Sequence, residues 1–149
     1  MERIGDRFLV ITTAIEAMPA VDRKRLTLDE RDHQVGVIRG EVVFIDGSCF
    51  RFMEHLDLNA PDFRRRYAYE YRRRPAGALV FRYDNVAHEE LEELQTFPHH
   101  VHRGITDRIE CAEPPDAVEL LDGLRRQIQV DRRPAPARPV RVAERKIAG

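Results

Sequence analysis

The sequence is poor in cysteine and in lysine. Its 149 residues include two cysteines, Cys49 and Cys111, whose spacing matches neither a zinc-binding pattern nor a nucleophile signature. Unpaired cysteines are typical of a reducing compartment, so we expect a cytoplasmic protein. Lysine occurs only at Lys24 and Lys146, so 23 of the 25 basic residues are arginines. The planar guanidinium group of arginine is well suited to binding phosphate.

Long apolar segments are also lacking. No apolar run approaches the roughly 20 residues of a membrane-spanning helix, so we expect no contact with a membrane. The longest run, residues 8–15, lacks the basic region and the cleavage site of a signal peptide. The net charge of −1 argues against a chain that binds nucleic acid through its overall charge.

The charges are nevertheless unevenly distributed along the chain. Residues 62–74 contain six arginines and two acidic residues, whereas residues 84–94 contain five acidic residues and no arginine or lysine. Such segregation indicates oriented contacts with charged partners. The basic segment is therefore a candidate for contact with nucleic acid.

The length fits one domain with its own hydrophobic core. Near residue 33 the pattern of apolar residues changes from a helical period to the alternation of a strand. Asp46-Gly47 is the strongest hairpin signal, because this pair favours the positive φ angles of a type I′ turn. The predicted segments, in chain order, are a helix over 7–17, a loop or frayed turn over 21–31, one bulged strand or two short strands over 33–45 around Gly40, strands over 48–58, 63–73 and 78–85, a helical turn over 88–95, and a helix over 116–130.

Short connections between successive strands predict an antiparallel meander. We therefore expect an α+β fold, with an antiparallel four- to five-stranded β-meander flanked by an N-terminal and a C-terminal helix. A single domain is predicted over residues 1–130. Residues 131–149 are rich in arginine, proline and alanine, and we expect them to form a disordered basic tail.

Three of the six histidines lie within residues 99–102, directly after Pro98. If this segment is extended, His100 and His102 point to one face and His99 points to the other. His100 and His102 could then share a metal ion. The candidates for a third ligand are His88, Asp84 and Glu54. The sequence contains no fixed metalloenzyme spacing, so we favour a site without a metal or another cofactor.

The same residues fit metal-free cleavage of RNA through its 2′-hydroxyl group. This reaction needs a base and an acid, and histidine suits both tasks because its pKa lies near neutrality. Fixed positive charge must stabilise the transition state, and aromatic side chains on a strand could stack unpaired bases. The catalytic candidates are His100, His102, His88, Glu54 and Arg82. The candidates for binding nucleic acid are Arg64, Arg66, Tyr67, Tyr69 and Tyr71.

Each of these patterns also has a purely structural interpretation. A Tyr-x-Tyr-x-Tyr stripe is often the core face of a strand, and arginine runs often form solvated sheet edges. Asp84 and Asn85 are typical turn residues, and the loop after Pro98 could be ordered by hydrogen bonds alone. On this interpretation the chain is a non-catalytic module whose basic strand and basic tail bind nucleic acid or an acidic protein surface.

Several motifs together resemble the TumE family of toxins from toxin–antitoxin systems. They extend over most of the predicted domain, and they occur in the order and spacing of the family. They are DGS (46–48), Glu54, YAYEY (67–71), FRYDN (81–85) with His88, and TFPHHVH (96–102). The resemblance implies a β-meander followed by a C-terminal helix, and a toxin that arrests growth. It also implies a partner, a helix-turn-helix antitoxin encoded nearby.

The resemblance assigns the site to nine positions of these motifs. They are Glu54, Arg82, Asp84, Asn85, His88, Pro98, His99, His100 and His102. We expect four of them to shape the site, and these are Asp84, Asn85, Pro98 and His99. The family often has the sequence D-N-A-P-H-H, but this chain has Ala87 in place of the proline and Glu89 in place of the second histidine.

The sequence therefore predicts a cytoplasmic toxin that acts on RNA by histidine acid–base cleavage. Two alternatives stay open, namely the non-catalytic binding module and a metal-dependent hydrolase that uses the histidine cluster. RNA as the target is an inference from the residue types, because the resemblance does not specify one. The sequence contains no indication of an oligomeric state.

Overall fold

The computed structural model describes residues 3–106 and 108–128, which form one seven-stranded antiparallel sheet and two helices. The strands follow one another across the sheet in chain order. The elements are α1 (Ile4–Glu16), β1 (Val21–Asp32), β2 (Val35–Phe44), β3 (Cys49–Asp57), β4 (Arg64–Arg72), β5 (Leu79–Asp84), a 3₁₀ turn (Glu89–Leu91), β6 (His100–Arg103), β7 (Arg108–Cys111) and α2 (Ala117–Gln127). The predicted basic tail, residues 131–149, lies outside the described residues.

The α+β class and the antiparallel meander are confirmed, but the predicted number of strands, four to five, is too low. The prediction of a loop or frayed helical turn over residues 21–31 is wrong, because these residues form most of β1. No side chain of this edge strand is buried, so its sequence lacks the alternation of a half-buried strand. Pairing with β2 holds it extended instead. β6 and β7 have four residues each, too few for a periodic pattern.

β2 is one continuous strand, so the prediction of two short strands over residues 33–45 is wrong. The predicted bulge is also wrong, because β2 pairs with both neighbouring strands through Gly40 without a shift of register. A Cβ atom at Gly40 would lie 2.2 Å from Cε1 of Phe52 and 2.7 Å from Cδ2 of Leu26. Glycine is therefore required there, because the side chains of both neighbouring strands cover the backbone. The predicted hairpin after β2 is confirmed, and Gly47 in its turn has a φ of 88°.

Both helices share one hydrophobic core with one face of the sheet. The helices contribute Ile4, Ile11, Ile15, Ala117, Leu121 and Leu124, and the sheet contributes Ile38, Val42, Phe50, Phe52, Tyr67, Tyr69 and Tyr71. The three tyrosines are 1%, 0% and 3% exposed. The prediction that they stack bases is therefore wrong, because rings buried in the core cannot be reached by RNA. None of the described helices is long and apolar enough to cross a membrane.

A buried ion pair ties α1 to this core. Arg7 donates from Nε to Oε1 of Glu54 over 2.9 Å and from Nη2 to Oε2 over 2.6 Å. The two residues are 5% and 0% exposed. Tyr69 donates a hydrogen bond to the same carboxylate, and Nη1 of Arg7 lies 3.1 Å from Oδ1 of Asp116, just before α2. The network therefore joins both helices to β3 and β4.

This network corrects the predicted role of Glu54. The residue lies on the core face with Phe50 and Phe52, so it does not belong to a catalytic site with the histidines. Burial alone would lower the pKa of Arg7, but the hydrogen bonds and the charge of Glu54 raise it above its ordinary value. Burial and Glu54 also raise the pKa of the Tyr69 hydroxyl. Both groups therefore remain protonated donors to Glu54.

Replacing Glu54 by glutamine should destabilise the fold strongly. An amide cannot balance the charge of Arg7, and breaking a buried ion pair costs about 3–5 kcal/mol. We expect Glu54→Gln to lower the free energy of unfolding in guanidinium chloride by about 3 kcal/mol or more. The matched control is Glu41→Gln. Because Glu41 pairs with Arg51 on the exposed surface at 2.7 Å, the control should lose less than about 1 kcal/mol. Equal losses would contradict a stabilising role for the buried pair.

Candidate active site

Four polar residues of β5 and β6 lie opposite one another on the sheet. Arg82 pairs with His102, and Asp84 pairs with His100. Side chains alternate between the two faces of a strand, and Tyr83, which separates Arg82 from Asp84, packs against the core. The four polar side chains therefore lie on the face that points away from the core.

The basic atoms of Asp84, His100 and His102 converge at one place, and we call these residues the Asp–His–His triad. Nε2 of His100 lies 3.2 Å from Oδ1 of Asp84 and 3.1 Å from Nε2 of His102. Nε2 of His102 lies 3.6 Å from Oδ2 of Asp84. Asp84 and His100 are 2% and 0% exposed, whereas the side chain of His102 is 16% exposed. Solvent therefore reaches the triad from the side of His102.

Hydrogen bonds from neighbouring groups orient the triad. Nδ1 of His100 lies 2.8 Å from the carbonyl oxygen of Pro98. Because a carbonyl only accepts, Nδ1 carries a proton and the neutral ring has its lone pair on Nε2. Asp84 accepts from the backbone amide of Val86 at 2.9 Å and from Nε of Arg82 at 3.0 Å. The fold thus points Nε2 of an imidazole and a carboxylate at the same place.

An open groove with a volume of about 680 Å³ lies beside the triad. Its polar and charged lining consists of Glu70, Arg72, Arg82, Asp84, His88 and His102. Glu70 pairs with Arg72 at 2.8 Å and with Arg82 at 3.3 Å. Burial alone would raise the pKa of Glu70, but the two arginines lower it below its ordinary value. Because Arg82 also pairs with Asp84, carboxylates already balance both arginines.

His88 is exposed and lines the groove. Its ring centroid lies 6.0 Å from that of His100, but it does not belong to the group of converging ligand atoms in the described part of the chain. Ala87 and Glu89, where the chain departs from the motif, are exposed and also lie outside this group. The two departures therefore leave the triad complete.

Asn85 and His99 connect β4 to the segments that carry the triad. Oδ1 of Asn85 accepts from the backbone amide of Tyr67 at 2.9 Å, and Nδ2 donates to the carbonyl oxygen of Arg65 at 3.2 Å. His99 turns away from the triad, and its Nδ1 lies 2.8 Å from the hydroxyl of Tyr67. Burial raises the pKa of this hydroxyl, which therefore stays protonated and can share a hydrogen bond with Nδ1 of His99.

The two arginines predicted to bind nucleic acid lie on different faces of β4. The register between β3 and β4 shifts at this point, so that Arg65 is an extra residue between the paired positions of Arg64 and Arg66. Arg64 turns to the core side, where Nη1 donates to the hydroxyl of Tyr69 at 2.9 Å, while Arg66 is exposed. Strict alternation would place Arg64 and Arg66 on one face, but a β-bulge reverses the alternation between them, so they do not form one surface for nucleic acid.

Glu70 and Arg72 were not predicted as site residues, although both line the groove. The turn between β4 and β5 places Glu70 opposite Arg82. Opposite charges often pair across neighbouring strands. The register shifts between Arg72 and Tyr71, so counting outward from the turn would have placed Phe81 opposite Glu70. Matching the aromatic faces of β4 and β5, which pair Tyr71 with Phe81 and Tyr69 with Tyr83, was the signal that could have identified Glu70 as a neighbour of Arg82.

Removing the hydroxyl of Tyr67 should loosen the segment before β6. We expect Tyr67→Phe to lower the free energy of unfolding in urea by about 1 kcal/mol, because the ring remains and the hydrogen bond to His99 is lost. The matched control is Tyr83→Phe, since the hydroxyl of Tyr83 makes only a partly buried contact with Arg103, at 3.3 Å. The control should change stability by less than about 0.5 kcal/mol. A Tyr67→Phe variant as stable as the control would contradict this bracing role.

Comparison with known proteins assigns a family to this fold and site. The sequence model described as Toxin TumE matches residues 11–132, which is more than half of the chain and includes the whole triad. No match was found among curated proteins or among solved structures. A member of this family is a toxin of a toxin–antitoxin system, which implies an antitoxin as its partner. The chain belongs to the TumE family of toxins.

Proposed function

We propose that this toxin cleaves RNA in the groove beside the Asp–His–His triad. One observation carries the proposal, namely that three basic atoms converge next to an accessible groove that also contains an exposed histidine and an arginine. Cleavage of a phosphodiester needs a base, an acid and fixed positive charge, and these groups can supply all three. Loss of RNA would arrest growth until an antitoxin binds the toxin.

The proposed reaction uses the 2′-hydroxyl group of the RNA as its nucleophile. The 2′ oxygen attacks phosphorus while the bond from phosphorus to the 5′ oxygen breaks. The triad, open on the side of His102, activates the attacking hydroxyl and takes up its proton. His88 gives a proton to the leaving oxygen. The products are a 2′,3′-cyclic phosphate and a free 5′-hydroxyl, so no oxidant or reductant is required.

Because His100 is buried, we revise the acid–base role that the sequence predicted for it. With 0% exposure, His100 cannot contact RNA and therefore cannot share acid–base work directly with His102. We assign it to the orientation of the triad, and we assign proton transfer to the leaving group to His88. Arg82, whose side chain is 40% exposed, lies opposite His102 and can stabilise charge on the phosphate.

We propose a helix-turn-helix antitoxin, encoded nearby, as the partner. The resemblance in the motifs around the triad supports this partner, and membership of the toxin family requires an antitoxin of some kind. Co-expression of the neighbouring helix-turn-helix protein should restore growth, and the two proteins should purify as one complex. A neighbouring protein that neither binds nor restores growth would contradict this choice of partner.

Replacing His88 or His102 by alanine should abolish toxicity. Each change removes a group beside the reacting phosphate, so cleavage of single-stranded RNA should fall by about 100-fold or more, and expression should no longer arrest growth. The matched control is His55→Ala, because His55 is an exposed histidine of β3 and should leave both readouts unchanged. Folded His88→Ala and His102→Ala variants that still arrest growth would rule out the proposed chemistry.

A second candidate function, non-catalytic binding of nucleic acid, is favoured by the exposed arginines of β4 and the following turn. These are Arg65, Arg66, Arg73 and Arg74. This function predicts the opposite pattern, in which Arg65→Ala and Arg66→Ala together remove toxicity while the histidine variants stay toxic. It also predicts that RNA stays intact in arrested cells. RNA cleavage that survives the arginine changes would exclude it.

A further inference from the structure

We infer that the Asp–His–His triad binds one divalent transition-metal ion such as Zn²⁺ or Mn²⁺. Its ligand atoms are a carboxylate oxygen of Asp84 and Nε2 of His100 and of His102. The role of the ion in activating RNA rests on the proposed function, whereas the binding of the ion does not. The lack of a metalloenzyme spacing in the sequence favoured a site without a metal, but the pairing of β5 with β6 places Asp84, one of the three candidates for a third ligand, beside both histidines.

The distances within the triad fit a common central ion. Bonds of about 2.0–2.1 Å in a tetrahedral site place neighbouring ligand atoms about 3.3–3.4 Å apart. Nε2 of His100 lies 3.1 Å from Nε2 of His102 and 3.2 Å from Oδ1 of Asp84, and Nε2 of His102 lies 3.6 Å from Oδ2, the other carboxylate oxygen. The two imidazole nitrogens therefore already have nearly the separation that such an ion requires, and the carboxylate of Asp84 lies within reach of the same ion.

The chemistry of the three atoms also points to a cation. In the neutral form of His100 the lone pair lies on Nε2, because Nδ1 donates to the carbonyl of Pro98. That lone pair and the carboxylate of Asp84 lie 3.2 Å apart, and Nε2 of His102 is close to both. One proton can bridge only one of these contacts, whereas a cation at the common centre contacts all three atoms.

The groups around the triad are those that support metal ligands in proteins. A histidine ligand usually donates its other ring N–H to a carbonyl or carboxylate, and a carboxylate ligand is itself hydrogen-bonded. His100 donates to the carbonyl of Pro98 at 2.8 Å. Asp84 accepts from Val86 at 2.9 Å and from Arg82 at 3.0 Å. These contacts fix the orientation of a buried imidazole and a buried carboxylate before any ion arrives.

The ion would supply positive charge that the side chains of the groove lack. Arg72 and Arg82 are already paired with Glu70 and Asp84 at distances from 2.8 to 3.3 Å, so they add little net positive charge for a polyanion. A divalent ion would add that charge beside the groove. With the ion bound, the triad atoms act as ligands and no longer take up the proton, and the ion activates the attacking hydroxyl instead, because a divalent ion lowers the pKa of a coordinated water or hydroxyl and stabilises charge on a phosphate.

The donor set selects the kind of ion. Two imidazoles and one carboxylate suit Zn²⁺, Mn²⁺ and related ions, whereas Mg²⁺ prefers oxygen ligands. Glu54, a ligand candidate from the sequence, lies on the core face and is bound by Arg7. With three protein ligands, the remaining coordination positions are available to water or substrate, as in catalytic metal sites.

The test is direct titration of the purified full-length chain after treatment with a chelator and removal of that chelator. Isothermal titration with Zn²⁺ should show one ion per chain, and Mg²⁺ should bind far more weakly. Asp84→Asn and His102→Ala should each weaken Zn²⁺ binding by roughly 100-fold or more, since changes in supporting contacts alone cost 10–100-fold. Circular dichroism confirms that each variant is folded.

Two control variants separate this site from incidental binding of zinc. His55→Ala removes an exposed histidine of β3, and Cys111→Ser removes the exposed thiol whose backbone lies opposite His100 in the sheet. Both controls should bind Zn²⁺ as tightly as the unchanged chain. Co²⁺ provides a second measurement on that chain, because ligation by imidazole in a low-coordinate site produces intense visible absorption bands.

Several results would contradict the binding of a metal ion at the triad. They are absence of Zn²⁺ binding, binding that survives Asp84→Asn and His102→Ala, binding that disappears in Cys111→Ser, and a Co²⁺ spectrum identical to that of the free aqueous ion. RNA cleavage is measured separately, with Zn²⁺ or Mn²⁺ and with excess chelator. If the ion binds at the triad and RNA stays intact, RNA cleavage fails while the metal site stands. If the metal-free chain cleaves RNA at the full rate, the ion has no catalytic role.

Discussion

The candidate site depends on the register of one antiparallel pair of strands. Because β5 and β6 pair with Asp84 opposite His100 and Arg82 opposite His102, side chains 16 or more positions apart in the sequence meet on one face. A shift of one residue would turn Asp84 toward the core and leave the histidines without their carboxylate. The hydrogen bonds from the Val86 amide and to the Pro98 carbonyl then set the directions of the ligand atoms.

The two faces of the sheet carry different sets of polar residues. On the core face, the Arg7–Glu54 ion pair and the buried tyrosines hold both helices in place. On the opposite face, Asp84 and the two histidines meet beside an open groove. Motif residues occur on both faces, so a motif position does not by itself identify a catalytic residue. Glu54 illustrates this point, since its buried carboxylate is bound by Arg7 and Tyr69 in the core.

The sequence predicted those parts of the fold that alternation and turn residues encode. The hairpin at Gly47, the tyrosine face of β4 and the shared side of His100 and His102 all follow from local patterns. Other features depend on contacts distant in sequence. β1 is extended because β2 pairs with it, and Glu54 is satisfied by a residue 47 positions away. A bulge at Arg65 reverses the face of Arg64, and composition does not reveal where such a bulge falls.

The central claim is that the Asp–His–His triad forms a metal centre that faces the groove. X-ray absorption spectroscopy of the zinc-loaded full-length chain tests it most directly. The predicted spectrum contains two imidazole nitrogens and oxygen ligands at about 2.0–2.1 Å from zinc. A shell of sulfur at about 2.3 Å, or a shell of water oxygens without imidazole scattering, would contradict the claim.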